Sequence, residues 1–168
     1  MRVRVAAVER FVSHYTNRLD AKGRVSIPAP FRLVLARDGF EGLYVHPSLD
    51  LTALDCGGHQ IIAEIQGLLE RFSPYSEERD FFALALEGAS ELLKTDTEGR
   101  IVLSDTLKQR AGITTGVVFV GLGHKFQIWE PDRFHAHLEE ATSRLRDFRK
   151  QLSAGHAAGV PSRQGARE

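Results

Sequence analysis

One short segment occurs twice in this chain, and the repetition restricts the fold more than any other feature. Asp20-Ala21-Lys22-Gly23-Arg24-Val25-Ser26-Ile27-Pro28 returns as Asp96-Thr97-Glu98-Gly99-Arg100-Ile101-Val102-Leu103-Ser104. The displacement is 76 residues for the glycine and the arginine alike (99 − 23 and 100 − 24). The same displacement sets Phe31-Arg32-Leu33-Val34-Leu35 against Leu107-Lys108-Gln109-Arg110-Ala111. Further on, Gly42-Leu43-Tyr44-Val45 resembles Gly116-Val117-Val118-Phe119, and Leu51-Thr52-Ala53-Leu54-Asp55 resembles Phe126-Gln127-Ile128-Trp129-Glu130. Each copy closes on a helical pattern, over 59–72 and 132–152. A chain of this kind is expected to build one small module twice.

Asp-x-x-Gly-Arg carries turn chemistry. The aspartate can accept from the backbone N–H groups that follow it, and glycine supplies positive φ at the exit. The flanks read as strands, 14–18 and 24–27 in the first copy, so the motif is expected at the tip of a hairpin. Alternation then places Val25 and Ile27, like Ile101 and Leu103, on one face, and Arg24 and Arg100 on the other. A short helix should follow, with Pro30 in its first turn in one copy and Ser104 or Asp105 as N-cap in the other. A connecting helix is expected to start at Ser73-Pro74, with Glu77, Glu78 and Asp80 near its positive end. Phe72, Phe81, Phe82, Leu84 and Leu86 make that region apolar on more than one face, which predicts burial between modules or between protomers. Phe81, Phe82, Phe126 and Trp129 are expected in the core. Phe134, Leu138, Ala141, Leu145 and Phe148 follow helical spacing in the last helix.

At 168 residues the chain is one domain or two small, closely packed ones. With 42% hydrophobic and 26% charged residues it can bury a core and remain soluble. No apolar run approaches the roughly 18 residues of a membrane span, and no signal peptide is expected. The single cysteine, Cys56, reads as an unreactive buried or loop thiol in a reducing compartment. Formal net charge is +0, yet the first 32 residues hold seven arginines and lysines against Glu9 and Asp20. A basic surface within a neutral whole can steer a polyanion locally. An enzyme is not expected: nucleotide-loop, nucleophile-elbow and zinc-helix motifs are missing, and His135 and His137, two apart on a helix, cannot share a metal. No cofactor, catalytic residue or metal site is expected.

The paired Asp-x-x-Gly-Arg motifs, together with Ile27-Pro28, Phe31-Arg32, Val120-Gly121 and Lys125-Phe126-Gln127-Ile128-Trp129, resemble the MraZ family over about 11–152. The resemblance implies an α+β, β-rich fold. In it two swapped-hairpin modules of the SpoVT-AbrB kind stand in tandem and pack as a pseudo-two-fold β-barrel, with connecting and C-terminal helices. The expected boundaries are an N-terminal extension 1–10, module one 11–57, connecting helices 58–87, module two 88–131, a C-terminal helix 132–152 and a disordered tail 153–168.

The resemblance also implies a cytoplasmic, nucleoid-associated repressor of its own operon at the head of the cell-division and cell-wall gene cluster. Such a protein binds short G-rich direct repeats in double-stranded DNA as a ring-like homo-oligomer, away from any membrane. DNA binding carries over to Lys22 and Arg24 and, in the second copy, to Arg100, with Asp20, Gly23, Asp96 and Gly99 ordering the turns. An arginine at such a turn can fork onto guanine in the major groove, while Lys22 and Arg18 hold phosphates. The acidic neighbours Asp96 and Glu98 are expected to occupy Arg100 in a structural ion pair. The alternative reading is an antitoxin-like protein-interaction module.

Overall fold

The structure, a computed structural model, describes residues 10–158, with side chains as far as Gly155. The expected N-terminal extension up to Glu9 and the tail beyond Ala158 lie outside the described residues. The chain divides into two compact units, a body through Arg133 and a second unit from Phe134.

The body is α+β and built on an antiparallel sheet. Its strands are β1 (His14–Arg18), β2 (Arg24–Ser26), β3 (Leu43–Pro47), β4 (Leu54–Gly57), β5 (Glu91–Leu93), β6 (Arg100–Val102), β7 (Gly116–Gly121) and β8 (Phe126–Trp129). Six of them form one sheet in the order β1-β7-β8-β4-β3-β5, and β2 and β6 form a separate two-stranded ribbon. The large sheet ends on β1 and β5 as open edges, so the expected barrel is not closed.

The hairpin expectation is corrected. β1 does not pair with β2 across the motif; it pairs with β7, while β2 pairs with β6. In the second copy β5 likewise leaves β6 and pairs with β3. β4 pairs with β8, Asp55 facing Gln127. Every pairing outside β3–β4 and β7–β8 therefore joins one copy of the repeat to the other. The ribbon is centred on Val25 facing Ile101, which are repeat equivalents, so the local axis of two-fold similarity passes through that pair. The strand equivalence near the end of each copy also shifts. Leu51 and Thr52 lie in a loop, and Leu54–Gly57 is the counterpart of Phe126–Trp129.

Alternation separates two apolar layers. Leu43, Val45, Leu54, Cys56, Val117, Phe119, Phe126 and Ile128 face one way, beneath the ribbon residues Val25, Ile27, Ile101 and Leu103. Helix α1 (Ala29–Asp38) adds Phe31 and Leu35, and α4 (Asp105–Ala111) adds Leu107 and Ala111. Ser104 caps α4, its hydroxyl accepting from the Leu107 amide at 3.2 Å. On the other face Tyr44 packs with Ile61, Ile65 and Leu69 of α2 (His59–Leu69) and with Leu86. Burying this much apolar surface, at about 25 cal/mol per Å², is the main stabilising contribution.

The connecting region differs from its expected form. Helix α3 (Glu77–Ala83) is capped by Ser76, three residues after Ser73, and a π-helical turn, Leu84–Gly88, continues it. Phe82 packs against the second apolar layer, but Phe81 and Leu84 are 62% and 66% exposed and Tyr75 is fully exposed. Of the four expected core aromatics, Phe126 and Trp129 are buried and Phe81 is not. The last helix, α5 (Pro131–Ala158), continues past the expected end at Leu152.

Candidate nucleic-acid interface

The two motif turns are built by the same hydrogen bonds. Asp20 Oδ1 accepts from the amides of Lys22 and Arg24, each at 2.9 Å, and Oδ2 accepts from Arg24 Nε at 2.7 Å. Asp96 Oδ1 accepts from the amides of Glu98 and Arg100 at 2.9 Å, and Oδ2 from Arg100 Nε at 2.8 Å. The glycine amides close the turns on the carbonyls of Asp20 and Asp96, both at 3.0 Å. Gly23 and Gly99 share a φ of 77°, which an L side chain rarely adopts. The amide bonds from Arg24 and Arg100 are the largest of the effects that hold the Asp20 and Asp96 carboxyls below their ordinary range; the guanidinium contacts act in the same direction. Both carboxylates stay ionised as aiming groups.

Each turn is also tied to the opposite copy. The Ile27 amide donates to the Gly99 carbonyl at 3.0 Å, and the Leu103 amide donates to the Gly23 carbonyl at 3.2 Å. These bonds extend the β2–β6 ladder at both ends, so the two turns face away from each other along one ribbon. Arg24 lies across from Val102, and Arg100 lies across from Ser26. Cross-strand neighbours share a face, and the inner face belongs to Val25 and Ile101. Arg24, Ser26, Arg100 and Val102 therefore occupy one outer face, with the arginines on its diagonal, roughly 8 Å apart by ideal strand geometry.

The two arginines are not held alike beyond Nε. Among the described residues, Arg24 engages Asp20 through Nε alone, and its side chain is 32% exposed. Arg100 also gives Nη2 to Glu98 Oε2 at 3.3 Å. Its contact with Asp96, ahead of the nearby carboxylates of Asp96, Glu98 and Asp20, holds the guanidinium still more firmly charged.

Two cations were missed from the sequence. Arg32 on α1 lies over the second turn, its Nη1 3.5 Å from the Glu98 carbonyl and its side chain against Gly99. Lys108 on α4 sits near the first turn and is paired with Asp105 at 3.1 Å. They are repeat equivalents, so the displacement that matched the motifs could have found both. The second motif, read from its own residues as one cation against two carboxylates, thus has an added arginine beside it. Lys22 and Arg18 are exposed on the first-copy side.

The Lys125–Trp129 stretch has a separate task. Asp55, nearly buried, accepts from Gln127 Nε2 at 2.8 Å and Lys125 Nζ at 3.0 Å, and Trp129 Nε1 donates to Gln127 Oε1 at 2.9 Å. This chain of bonds lies across β4 and β8, where the two copies meet. Leaving a buried carboxylate without such partners would be costly. Cys56, alongside, is fully buried, and burial raises its thiol well above the usual range, which leaves it unreactive.

Comparison with known proteins bears on the family. Residues 85–153 match the family described as MraZ protein, putative antitoxin-like. The chain is 68% identical to the transcriptional regulator MraZ of Methylocella silvestris over 96% of its own length and 100% of that protein. It is 65% identical to the namesake in Beijerinckia indica, with the same coverage. The match in Xanthobacter autotrophicus is 62% identical over 88% of this chain and 94% of that one. The chain belongs to the MraZ family. MraZ proteins are transcriptional regulators, not enzymes. Membership identifies the repeated turn as part of a regulator, and no helix among the described residues is long and apolar enough to cross a membrane.

Proposed function

We propose that the chain is a sequence-specific DNA-binding repressor that reads short G-rich direct repeats through the outer face of the β2–β6 ribbon. The observation that carries this is the state of Arg24: half-buried on the outer face of a narrow two-stranded ribbon and fixed by Asp20 at Nε, the one guanidinium nitrogen that Asp20 engages. A guanidinium so held can donate twice to guanine O6 and N7, and its orientation is set before DNA arrives. Arg18 and Lys22 hold phosphates beside it, and Arg100 adds a weaker second contact. The site acts within the cytoplasm and nucleoid, on the operon at whose head the gene stands, the cell-division and cell-wall cluster. The two repeat copies form interleaved modules of the swapped-hairpin kind, a reading supported by the β2–β6 and β1–β7 pairings.

The working form is a homo-oligomer, a ring larger than a dimer. Tyr75, Phe81, Leu84 and the edge-strand Leu92 are all more than half exposed, which is unfavourable for an isolated body. Light scattering at micromolar concentration should find such an assembly; a stable 18.7 kDa species would defeat this part.

Gel-shift titration on the DNA upstream of the gene, against a scrambled control at two salt concentrations, tests the reading. Tight binding to the native DNA should fall by orders of magnitude between roughly 50 and 200 mM salt. Equal affinity for the scrambled DNA would remove sequence reading, and a flat salt dependence would remove the basic face. The antitoxin-like alternative, whose support is the family description, predicts nuclease-resistant capture of one protein partner instead.

A further inference from the structure

Three polar side chains stand in one row on the sheet face that packs against α2. The register sets His46 on β3 beside Asp55 on β4, and Asp55 beside Gln127 on β8. They are only 3%, 5% and 5% exposed, on a face whose other buried residues are chiefly apolar. Polar groups so buried cost free energy unless they are hydrogen-bonded. Asp55 and Gln127 meet that demand through Lys125, Trp129 and each other. His46 meets it on one side. Its Nδ1 lies 2.9 Å from the Pro47 carbonyl oxygen, which can only accept, so Nδ1 carries a proton. Nε2 of the neutral ring is then an acceptor, and it faces another acceptor, Asp55 Oδ2, at 3.9 Å. No hydrogen bond joins the two at that distance.

This row floors a cavity of about 580 Å³, a size that suits a small molecule. Ile61, Ile65 and Leu68 of α2, with Leu51 and Leu86, supply apolar walls. The exposed lining residues carry both signs, Arg71 with Asp50 and Glu64, and select no ion. The floor is more selective. Lys125 Nζ gives one proton to Asp55 Oδ2 at 3.0 Å and has two more to offer. Nζ and His46 Nε2 both lie within 4 Å of that same oxygen, so one small head group can reach both. A carboxylate placed there would face Asp55, and an ammonium would face Lys125. A hydroxyl carries no charge and both donates and accepts. We propose that this cavity binds a small apolar molecule through one neutral hydroxyl, which donates to His46 Nε2 and accepts from Lys125 Nζ.

Titration of the full chain with 1-octanol, octanoate and octylammonium tests this, since the three probes carry the same chain under a neutral, a negative and a positive head. Trp129, the one tryptophan of the chain, is 4% exposed and bonded to Gln127 on the cavity floor, so its emission reports occupancy. 1-Octanol should shift that emission with saturation, and either ion should bind about tenfold more weakly or worse. Gly67 lines the cavity from α2, and a Cβ there would meet nothing within 4 Å. Gly67→Ala should therefore bind like the wild type, whereas Gly67→Phe should keep the fold, fill the space and lose the alcohol. His46→Phe should weaken the alcohol about tenfold; if that chain fails to fold, the head-group comparison and Gly67→Phe still decide. No saturable shift with 1-octanol would overturn the inference. So would an ion that binds as tightly as the alcohol, or wild-type affinity in Gly67→Phe or folded His46→Phe chains.

Discussion

The first and second Asp-x-x-Gly-Arg turns agree in every turn hydrogen bond to within 0.1 Å, yet they present different chemistry to a ligand. At the first, Lys22 projects beside an arginine held at one nitrogen. At the second, Glu98 stands in its place and takes a further nitrogen of Arg100. The backbone of a turn is set by Asp and Gly, whereas the residue between them is open to change without touching those bonds. The repeat therefore preserves an aiming device while the two copies diverge in how much guanidinium they leave open to a ligand.

Replacing the arginines separates the copies most sharply. Arg24→Ala should cost about 1–3 kcal/mol per engaged site, and an oligomer engaging several repeats multiplies that into near loss of operator binding. Arg100→Ala should cost clearly less. Gel shifts on upstream DNA, with light scattering to show that each variant keeps the wild-type assembly, read the difference. Equal losses would mean that Glu98 does not withhold Arg100, and wild-type binding by an intact Arg24→Ala assembly would remove the first turn from the site.

Exchanging the central residue comes next. Lys22→Ala should weaken binding to all sequences alike and lower the salt slope by about one, as the proposed phosphate contact requires. Glu98→Lys should release Arg100 and raise affinity, making the second copy resemble the first. If Glu98→Lys changes nothing, the second turn does not approach DNA.

A stability effect distinguishes the glycines. Both substitutions to alanine place an L residue at φ 77°, at a cost of about 1–2 kcal/mol. Gly99→Ala also drives a methyl group into the Arg32 side chain, whereas at Gly23 the nearest atom is the Leu103 carbonyl at 3.7 Å. Urea unfolding should therefore find Gly99→Ala the more destabilised, and equal midpoints would show that Arg32 moves aside freely.

The smallest effect is on pH. Asp20 and Asp96 have folded-state pKa values below their unfolded ones, so their contribution to stability is present above the unfolded value. It is lost as pH falls through the folded one. Between pH 5 and 8 these carboxylates should leave thermal stability unchanged, with their share fading only below about pH 4. The Asp20→Asn chain should show a smaller acid-limb loss, because only the Asp96 share remains; an identical limb in both would show that other carboxylates govern it.

Local chemistry was legible in the chain and partner choice was not. Each turn closes within five residues, so Asp, Gly and Arg at their spacing were enough to place it, to put Arg24 and Arg100 opposite the buried Val25 and Ile101, and to cap α4 with Ser104. The helix after each motif also follows from short-range pattern, whereas the fold decides that Cys56 is buried and not in a loop. Arg24 to Ile27 read as the second strand of a hairpin because neighbours in sequence usually pair. The energy of a strand lies in its cross-strand and facing contacts, which the sequence of one strand does not contain. Only the assembled body gives β2 to β6 and β1 to β7, turns two separate motifs into one two-ended ribbon, and brings Arg32 and Lys108 over turns far from them in the chain. The same non-local packing left Phe81 outside while burying Phe126 and Trp129. What the chain determined by itself was the pair of aimed arginines; that they share one face was decided by tertiary structure, because pairing between the copies sets the register that aligns them.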